Sequence, residues 1–493
     1  MCEHYPTRHD DTARTPRQSN VRVGLVHVIV PEDYAAWPYL GFDFSSRQAE
    51  IEEDLARGCS GIEFVPLTVV GHPEDEIARV RALADTVDAL LVFVLATNWP
   101  LTAELLPAIG SWRMPTVFVD EPYAGSGVFL VHGAQTLRKS GEVLMVSSLK
   151  FQDVVDVVNC FRVLGDPGAS LERFLEEAGN VRSGNICRAC DSACKDDELE
   201  IRSVEDVIES LKNSKILRVL GEPSEPFEAL GATVETVTFD EINAAYLEVD
   251  REEARRWADR WIEEAAEVVE PSRQDIEDSA AIYLAMRRLL EEHGARAITV
   301  DCLGGFYSGK LPGYPCLGYR QLNDDGQLMG TCEARIPDVL SMMICRDMFN
   351  RNSFASDPVL DTSSNQIVYA HCVAPTRMLG PDSEPNAFRI RSHAEDGLGA
   401  SIQSIMPEGY MTTSIGWDDD LETIVLHRAR AVDNVDEERA CRTKLAAEVE
   451  GDIDKLFREW DRFNWHRVTV YGDVQEPLEA VARALDVKIV HEA

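Results

Sequence analysis

Between positions 21 and 120 short apolar runs alternate with helical patterns, and that rhythm constrains the fold more than any other feature of the chain. VRVGLVHVIV, IEFVPLTVV, ALLVFVLAT and MPTVFVD carry almost none of the polar alternation of a strand with one wet face. A strand that is apolar on both faces belongs in a parallel sheet with helices on both sides. The segments 46–58, EDEIARVRALADT and LTAELLPAIGSW supply those helices. The expectation is an open, doubly wound α/β domain over 21–165.

The same rhythm returns over 166–355. SKILRVLGEP, ATVETVTFDEI and ARAITVDCLGGF read as strands, and 251–269 and 274–292 as helices, giving a second doubly wound α/β domain. After position 356 the pattern becomes short alternating segments split by turn residues, as in FRIRSHAEDGLGASIQSIMPEGYMTTSIGWDDDLETIVLHRARAVDN. That suits a β-rich C-terminal domain over 356–493, a small barrel or sandwich. The fold class expected is therefore α/β: two doubly wound α/β domains followed by a β-rich domain. Residues 1–20 lack periodicity and the apolar core of a signal peptide, so a disordered lead-in is expected there.

Charge narrows the partners. The 493 residues carry 86 acidic against 48 basic side chains, a net charge of −38. Nucleic acid and anionic membrane surfaces would be repelled. No run reaches the roughly 18 apolar residues of a membrane span, so a soluble protein is expected. Only nine basic residues are Lys, and the acids are dispersed. That fits a halophilic surface, where salt screens the self-repulsion; an ordinary acidic cytosolic protein is the plainer alternative. Twelve cysteines without a secretion signal read as thiols in a reducing, cytoplasmic setting.

No phosphate-binding glycine loop follows any strand, which argues against nucleotide chemistry. His27, in the first apolar run, could face a crevice, but its neighbours favour the core. Cys187, Cys190 and Cys194 form a CxxCxxxC cluster with no evident fourth ligand; a structural metal and a solvated loop of free thiols both fit.

The chemistry-bearing residues gather between 315 and 371. The helix DVLSMMICRDMF begins near Pro337, which leaves Glu333 just ahead of a helix N-terminus, where α/β sheets bind ligands. Asp357 is held extended by Pro358, and Asp361 four residues on is a rival for the same role. His371 ends the strand NQIVYAH, and His466 stands in NWHRVTVYGD. Two carboxylates with one or two imidazoles suit a hard divalent cation such as Mn²⁺, although a packed histidine is the simple reading of either ring.

The order CLGYRQLNDDGQLMGTCEARIPDVLSMMI, a DP step, IVYAHCVAP, CRT at 441–443 and WHRVTVYGD resembles the L-fucose isomerase and L-arabinose isomerase superfamily, and within it the shorter L-fucose isomerase-like branch. The likeness covers the chain from about residue 21 in domain order and is dense in motifs from 301 onward. It implies a metal-dependent aldose–ketose isomerase acting on a monosaccharide through an enediol. It further implies Mn²⁺ or another divalent cation held by Glu333, Asp357 and His466, with His371 as fourth ligand or close neighbour, and favours Asp357 over Asp361. Glu333 and Asp357 would double as acid and base, and the β-rich domain would complete the metal site. A cytoplasmic homo-oligomer, trimer or hexamer, is implied, in which the first domain tends to serve a neighbouring subunit's site. His393, Glu395 and Gly397 resemble the branch's substrate loop, and Trp465 could floor a sugar face. Arg391 and Arg442 are the nearest candidates for substrate contact.

One residue departs from the branch. Arg335, where smaller or acidic residues are usual, could pair with Glu333 and weaken the metal site, or bind an anionic sugar. A non-catalytic sugar-binding or sensing protein is therefore the alternative, and a sugar epimerase or lyase working through the same enediol is a third reading.

Overall fold

The computed structural model describes residues 21–188 and 193–493; the expected lead-in and Cys190 lie outside them. Strands β1 (Val21–Val28), β2 (Ile62–Val69), β3 (Ala89–Val94), β4 (Thr116–Asp120) and β5 (Leu144–Val146) form a parallel sheet in the order β2-β1-β3-β4-β5. Successive residues of one strand feed opposite cores. Leu91 and Phe93 pack with helices Phe44–Gly58 and Phe151–Asn159, whereas Val92 and Val94 pack with Trp99–Gly110 and Ser126–Ser140. Burial on both faces is why these strands read as unbroken apolar runs. His27 is fully buried beside Phe93 with neither ring nitrogen bonded, as a core residue. Helix Leu171–Asn185 buries Phe174 and Ala178 in the same core, so this unit runs past the boundary expected at 165. A Cβ at Gly125 would stand 2.2 Å from the Val94 carbonyl oxygen, so only glycine lets helix Ser126–Ser140 start this close to β3.

A second sheet contains β6 (Lys215–Leu220), β7 (Phe227–Ala229) and β8 (Ala232–Thr238). Helix Arg251–Glu264 ends before 269 because Glu267–Val268 forms a separate strand, β9. With β10 (Ala297–Val300) and β11 (Met329–Cys332) the order is β11-β10-β6-β8-β7, parallel except at β7. Helices Phe239–Leu247 and Arg273–Glu292 cover one face, and Val204–Lys212 and Ile336–Phe349 the other.

The last part closes into a barrel. Strands β12 (Ser353–Asp361) and β13 (Gln366–His371) pair antiparallel, and β14 (Phe388–Arg391) with β15 (Ser401–Ser404) leaves to join β9. Strands β16 (Met411–Trp417), β17 (Thr423–Asn434), β18 (Thr443–Glu450) and β19 (Arg467–Tyr471) complete the ring β16-β19-β12-β13-β18-β17. A direct β16–β17 ladder shuts it, and β20 (Lys488–His491) adds alongside β17. Closure removes the unpaired edges of the short, alternating strands. Across the barrel Tyr369 Oη meets His427 Nε2 at 2.6 Å, His427 Nδ1 meets Glu492 at 2.7 Å, and Glu492 takes two bonds from the Arg467 guanidinium at 2.7 and 2.8 Å. Among the described residues no helix is long and apolar enough to cross a membrane.

Candidate metal centre

The barrel mouth faces the carboxyl ends of the second sheet. Asp357 lies where β12 stops pairing with β19, whose ladder ends at Ser356, and pairs with Ala370 of β13. Pro358 has no N–H to offer, which suits this open side of the strand. His371 is the last residue of β13, and His466 immediately precedes β19. The middle of β12, the end of β13 and the start of β19 thus bring Asp357, His371 and His466 together, and the turn after β11 brings Glu333; Asp357 lies within its strand, not after it as the sequence suggested. One donor atom from each of the four lies within 4.8 Å of all the others. His466 Nε2 is 3.4 Å from Glu333 Oε2 and 3.3 Å from Asp357 Oδ1, and His371 Nε2 is 3.6 Å from Glu333 Oε1.

Glu333 reaches this point on a strained backbone. Its φ is +63° and that of Ala334 is +52°, the left-handed region that non-glycine residues avoid. The turn is pinned from outside: Ala334 N–H donates to the Val300 carbonyl at 3.0 Å, and Arg218 Nε donates to the Ala334 carbonyl at 3.0 Å. Helix Ile336–Phe349 follows, with Pro337 in its first turn as expected.

The two imidazoles are set differently. His466 Nδ1 lies 2.6 Å from Asp338 Oδ2. A carboxylate only accepts, so Nδ1 carries a proton in either charge state of the ring, which leaves Nε2, facing the two carboxylates, as the one nitrogen able to ligate a cation. That Nε2 is buried and makes no hydrogen bond, an orphan where a cation would serve as its partner. Burial alone would lower the His466 pKa, but Glu333, Asp338 and Asp357 outweigh it and push it up to about 10, so the cation-free ring holds a proton on Nε2 as well, which a bound cation would displace. At His371 the Cys372 N–H donates to Nδ1 at 2.9 Å, so the neutral ring keeps its proton on Nε2. His371 Nε2 lies 3.0 Å from Cys332 Sγ and 3.6 Å from Glu333 Oε1, so its N–H is taken up by the thiol beside the centre, and the ring suits the close-neighbour role better than that of a fourth ligand. Its pKa is raised: burial opposes, while the Cys372 hydrogen bond and the charges of Asp357 and Glu333 prevail. Two carboxylates and one imidazole lone pair fit a hard divalent cation.

Asp361 does not take part. Its carboxylate is spent on Leu149 N–H at 3.1 Å and on the N–H and hydroxyl of Ser363 at 3.0 and 2.7 Å. Arg391 pairs with Glu270 and Glu438, and Arg442 donates to the Ser392 carbonyl and hydroxyl. Neither arginine lines the cavity over the centre. Arg335 does not pair with Glu333: its guanidinium stacks 4.3 Å from the Trp465 ring, with Nε 3.6 Å from Asp338.

The cavity above Glu333 and Asp357 is walled by Trp37, Trp99, Val128, Leu303 and Trp465, with Glu395 as a third carboxyl. Trp37, Trp99 and Val128 follow β1, β3 and β4 of the same chain, at the carboxyl ends where α/β sheets bind ligands. Burial pushes the Glu395 carboxyl up to about 7, against the pull of His393 and the Tyr307 hydroxyl. Sequence reasoning missed Asp338, which reads as an ordinary acid in a first helical turn, and Trp37 and Trp99, which lie more than 200 residues from Glu333.

No family model and no curated protein matches this chain. Among solved structures, an ABC transporter periplasmic solute binding protein from Actinobacillus succinogenes 130z with bound D-allose is similar over 63% of this chain and 76% of its own. The identity is 11% and the TM-score 0.19, too low for that likeness to carry an argument.

Proposed function

We propose that the protein is a metal-dependent aldose–ketose isomerase of the L-fucose isomerase-like kind, with Glu333, Asp357 and His466 holding a divalent cation, Mn²⁺ or a similar ion. The observation that carries this is the orphan Nε2 of His466 between two carboxylates, on the floor of a tryptophan-walled cavity lined by no basic side chain. When bound, such an ion would supply Lewis-acid polarisation of the sugar's carbonyl and hydroxyl groups. Asp338 keeps the His466 ring in its ligating tautomer. Trp37, Trp99 and Trp465 exclude water and offer apolar faces to sugar C–H groups. Glu333 and Asp357, both lining the cavity, would serve as the acid and base that move a proton between C1 and C2.

Lined by carboxyls and apolar rings, the cavity suits a neutral monosaccharide over a phosphorylated or sulfonated one. Arg335, the residue that raised the anionic-sugar and sensor readings, is committed to Trp465 and Asp338. The plan of two doubly wound α/β domains and a β-rich domain that completes the site belongs to this reading. So do a homo-oligomeric state and a cytoplasmic location.

The test is incubation of the Mn²⁺-loaded protein at high salt with a panel of pentoses and deoxyhexoses, with Glu333→Gln as control. Ketose formation by the wild type and its loss in the variant are expected. Sugar-induced thermal shifts without product would mark a binder instead.

A further inference from the structure

Isomerisation of an aldose to a ketose moves two protons. One leaves C2 and arrives at C1; the other leaves the C2 hydroxyl and arrives on O1. Glu333 and Asp357 each spend an oxygen on the cation in the proposed function, on which this inference rests. A carboxyl outside the cluster is free of that duty, and the cavity holds one.

Glu395 lines the same cavity as Glu333 and Asp357 but is not among the four clustered residues. Its carboxylate accepts a hydrogen bond from the Tyr307 hydroxyl, and Tyr307 is 49% exposed, which connects the pair to solvent. Its backbone is fixed on the other side, where Leu40 N–H donates to the Glu395 carbonyl at 2.8 Å. The rest of the loop is knit tightly. His393 Nδ1 lies 3.1 Å from Asp396 Oδ1, the Tyr314 hydroxyl donates to Asp396 Oδ2 at 2.5 Å, and Gly397 N–H donates to the His393 carbonyl at 3.0 Å. Gly399 has φ +59°, and a Cβ there would fall 1.9 Å from the Tyr314 ring, so the loop closes against this tyrosine only with glycine. A surface turn needs none of this bracing. A carboxyl that must meet a substrate hydroxyl within hydrogen-bond reach does.

We propose that Glu395 is a third catalytic carboxyl, which takes the proton from the C2 hydroxyl and returns it to O1, and that Tyr307 is its positioning residue. The step balances within the sugar. The O2–H bond breaks as the C2 carbonyl forms, Glu395 holds the proton, and the new O1–H bond restores the carboxylate, with no net oxidant or reductant.

The test compares wild type, Glu395→Gln, Glu395→Asp and Tyr307→Phe as full-length Mn²⁺-loaded protein. The aldose is whichever one of the pentose and deoxyhexose panel the wild type converts, and xylitol serves as a non-reacting probe. Glu395→Gln is expected to lower kcat about 100-fold or more, with KM, xylitol affinity and Mn²⁺ affinity by titration calorimetry each within about threefold of wild type. Glu395→Asp should recover part of kcat, and Tyr307→Phe should lower kcat with KM unchanged. An unaltered kcat in Glu395→Gln overturns the proposal. So does a loss of Mn²⁺ or xylitol binding that accounts for the fall in rate, since Glu395 would then act in binding or structure. If the wild type converts no aldose, the isomerase reading fails and this proposal with it; if it converts one and Glu395→Gln does so equally well, this proposal alone fails.

Discussion

Asp338 Oδ2 sits 2.6 Å from His466 Nδ1, and that contact decides which nitrogen of the ring faces Glu333 and Asp357. Asp338→Asn keeps the shape but can donate to the ring, allowing the tautomer that carries its proton on Nε2. Such partners typically contribute 10- to 100-fold in metal affinity. The variant should bind Mn²⁺ about 10- to 100-fold more weakly by titration calorimetry, with circular dichroism unchanged. Affinity equal to wild type would show that the contact does not set the ligand.

Arg335 and Trp465 stack beside the centre without joining it. Arg335→Met, which keeps the long stem, should leave one Mn²⁺ bound per chain and change its affinity by less than about tenfold. Trp465→Ala removes a cavity wall as well as the stacking surface, so it should raise KM for the converted sugar by about tenfold or more. Comparable KM in wild type and Trp465→Ala would place the sugar elsewhere.

Glu492 is a buried acid whose carboxyl is held down at about 2: burial opposes, and the Arg467 charge and the His427 and Arg467 bonds prevail. A depressed acid contributes stability that is fully present above its unfolded pKa of about 4.5 and is lost as pH falls toward 2. The shift corresponds to roughly 3 kcal/mol. Glu492→Gln should therefore be less stable at neutral pH, and its disadvantage should shrink between pH 4.5 and 2 in denaturant titrations. Because Arg467 also donates to the His466 and Asn464 carbonyls at 2.9 and 3.1 Å, the variant should loosen Mn²⁺ binding too. A pH-independent difference from wild type would exclude this role.

The net charge of −38 predicts salt dependence. At 0.1 M salt the screening length is about 10 Å, and at 1 M about 3 Å. The thermal midpoint should climb steadily between those concentrations of KCl, and the fold should loosen in dilute buffer. A midpoint flat in salt would mark the acidity as ordinary surface charge.

How legible the molecule is in its sequence varies by element. The parallel sheets could be read because strands buried on both faces must be apolar throughout, as at β1 and β3. The barrel was legible only as β-rich, since closure depends on the β16–β17 ladder, a pairing that alternation does not encode. Glu333 and Asp357 announce themselves through Pro337 and Pro358, each of which fixes the local backbone. His466 has no local mark and depends on an ordered resemblance.

The sequence by itself settled the local terms: which runs bury both faces, where prolines interrupt pattern, how much charge the surface bears. It also supplied all four clustered residues through the order of its motifs, while Asp361 stayed a rival to Asp357 until the structure showed its carboxylate bonded to Leu149 and Ser363. Only the tertiary structure decided which nitrogen of each histidine faces the centre, that Arg335 turns away from Glu333, and that Trp37 and Trp99 of the same chain roof the site. Those outcomes depend on partners far away in the chain, Asp338 for His466 and Trp465 for Arg335, and contacts of that kind leave no periodic trace along a polypeptide.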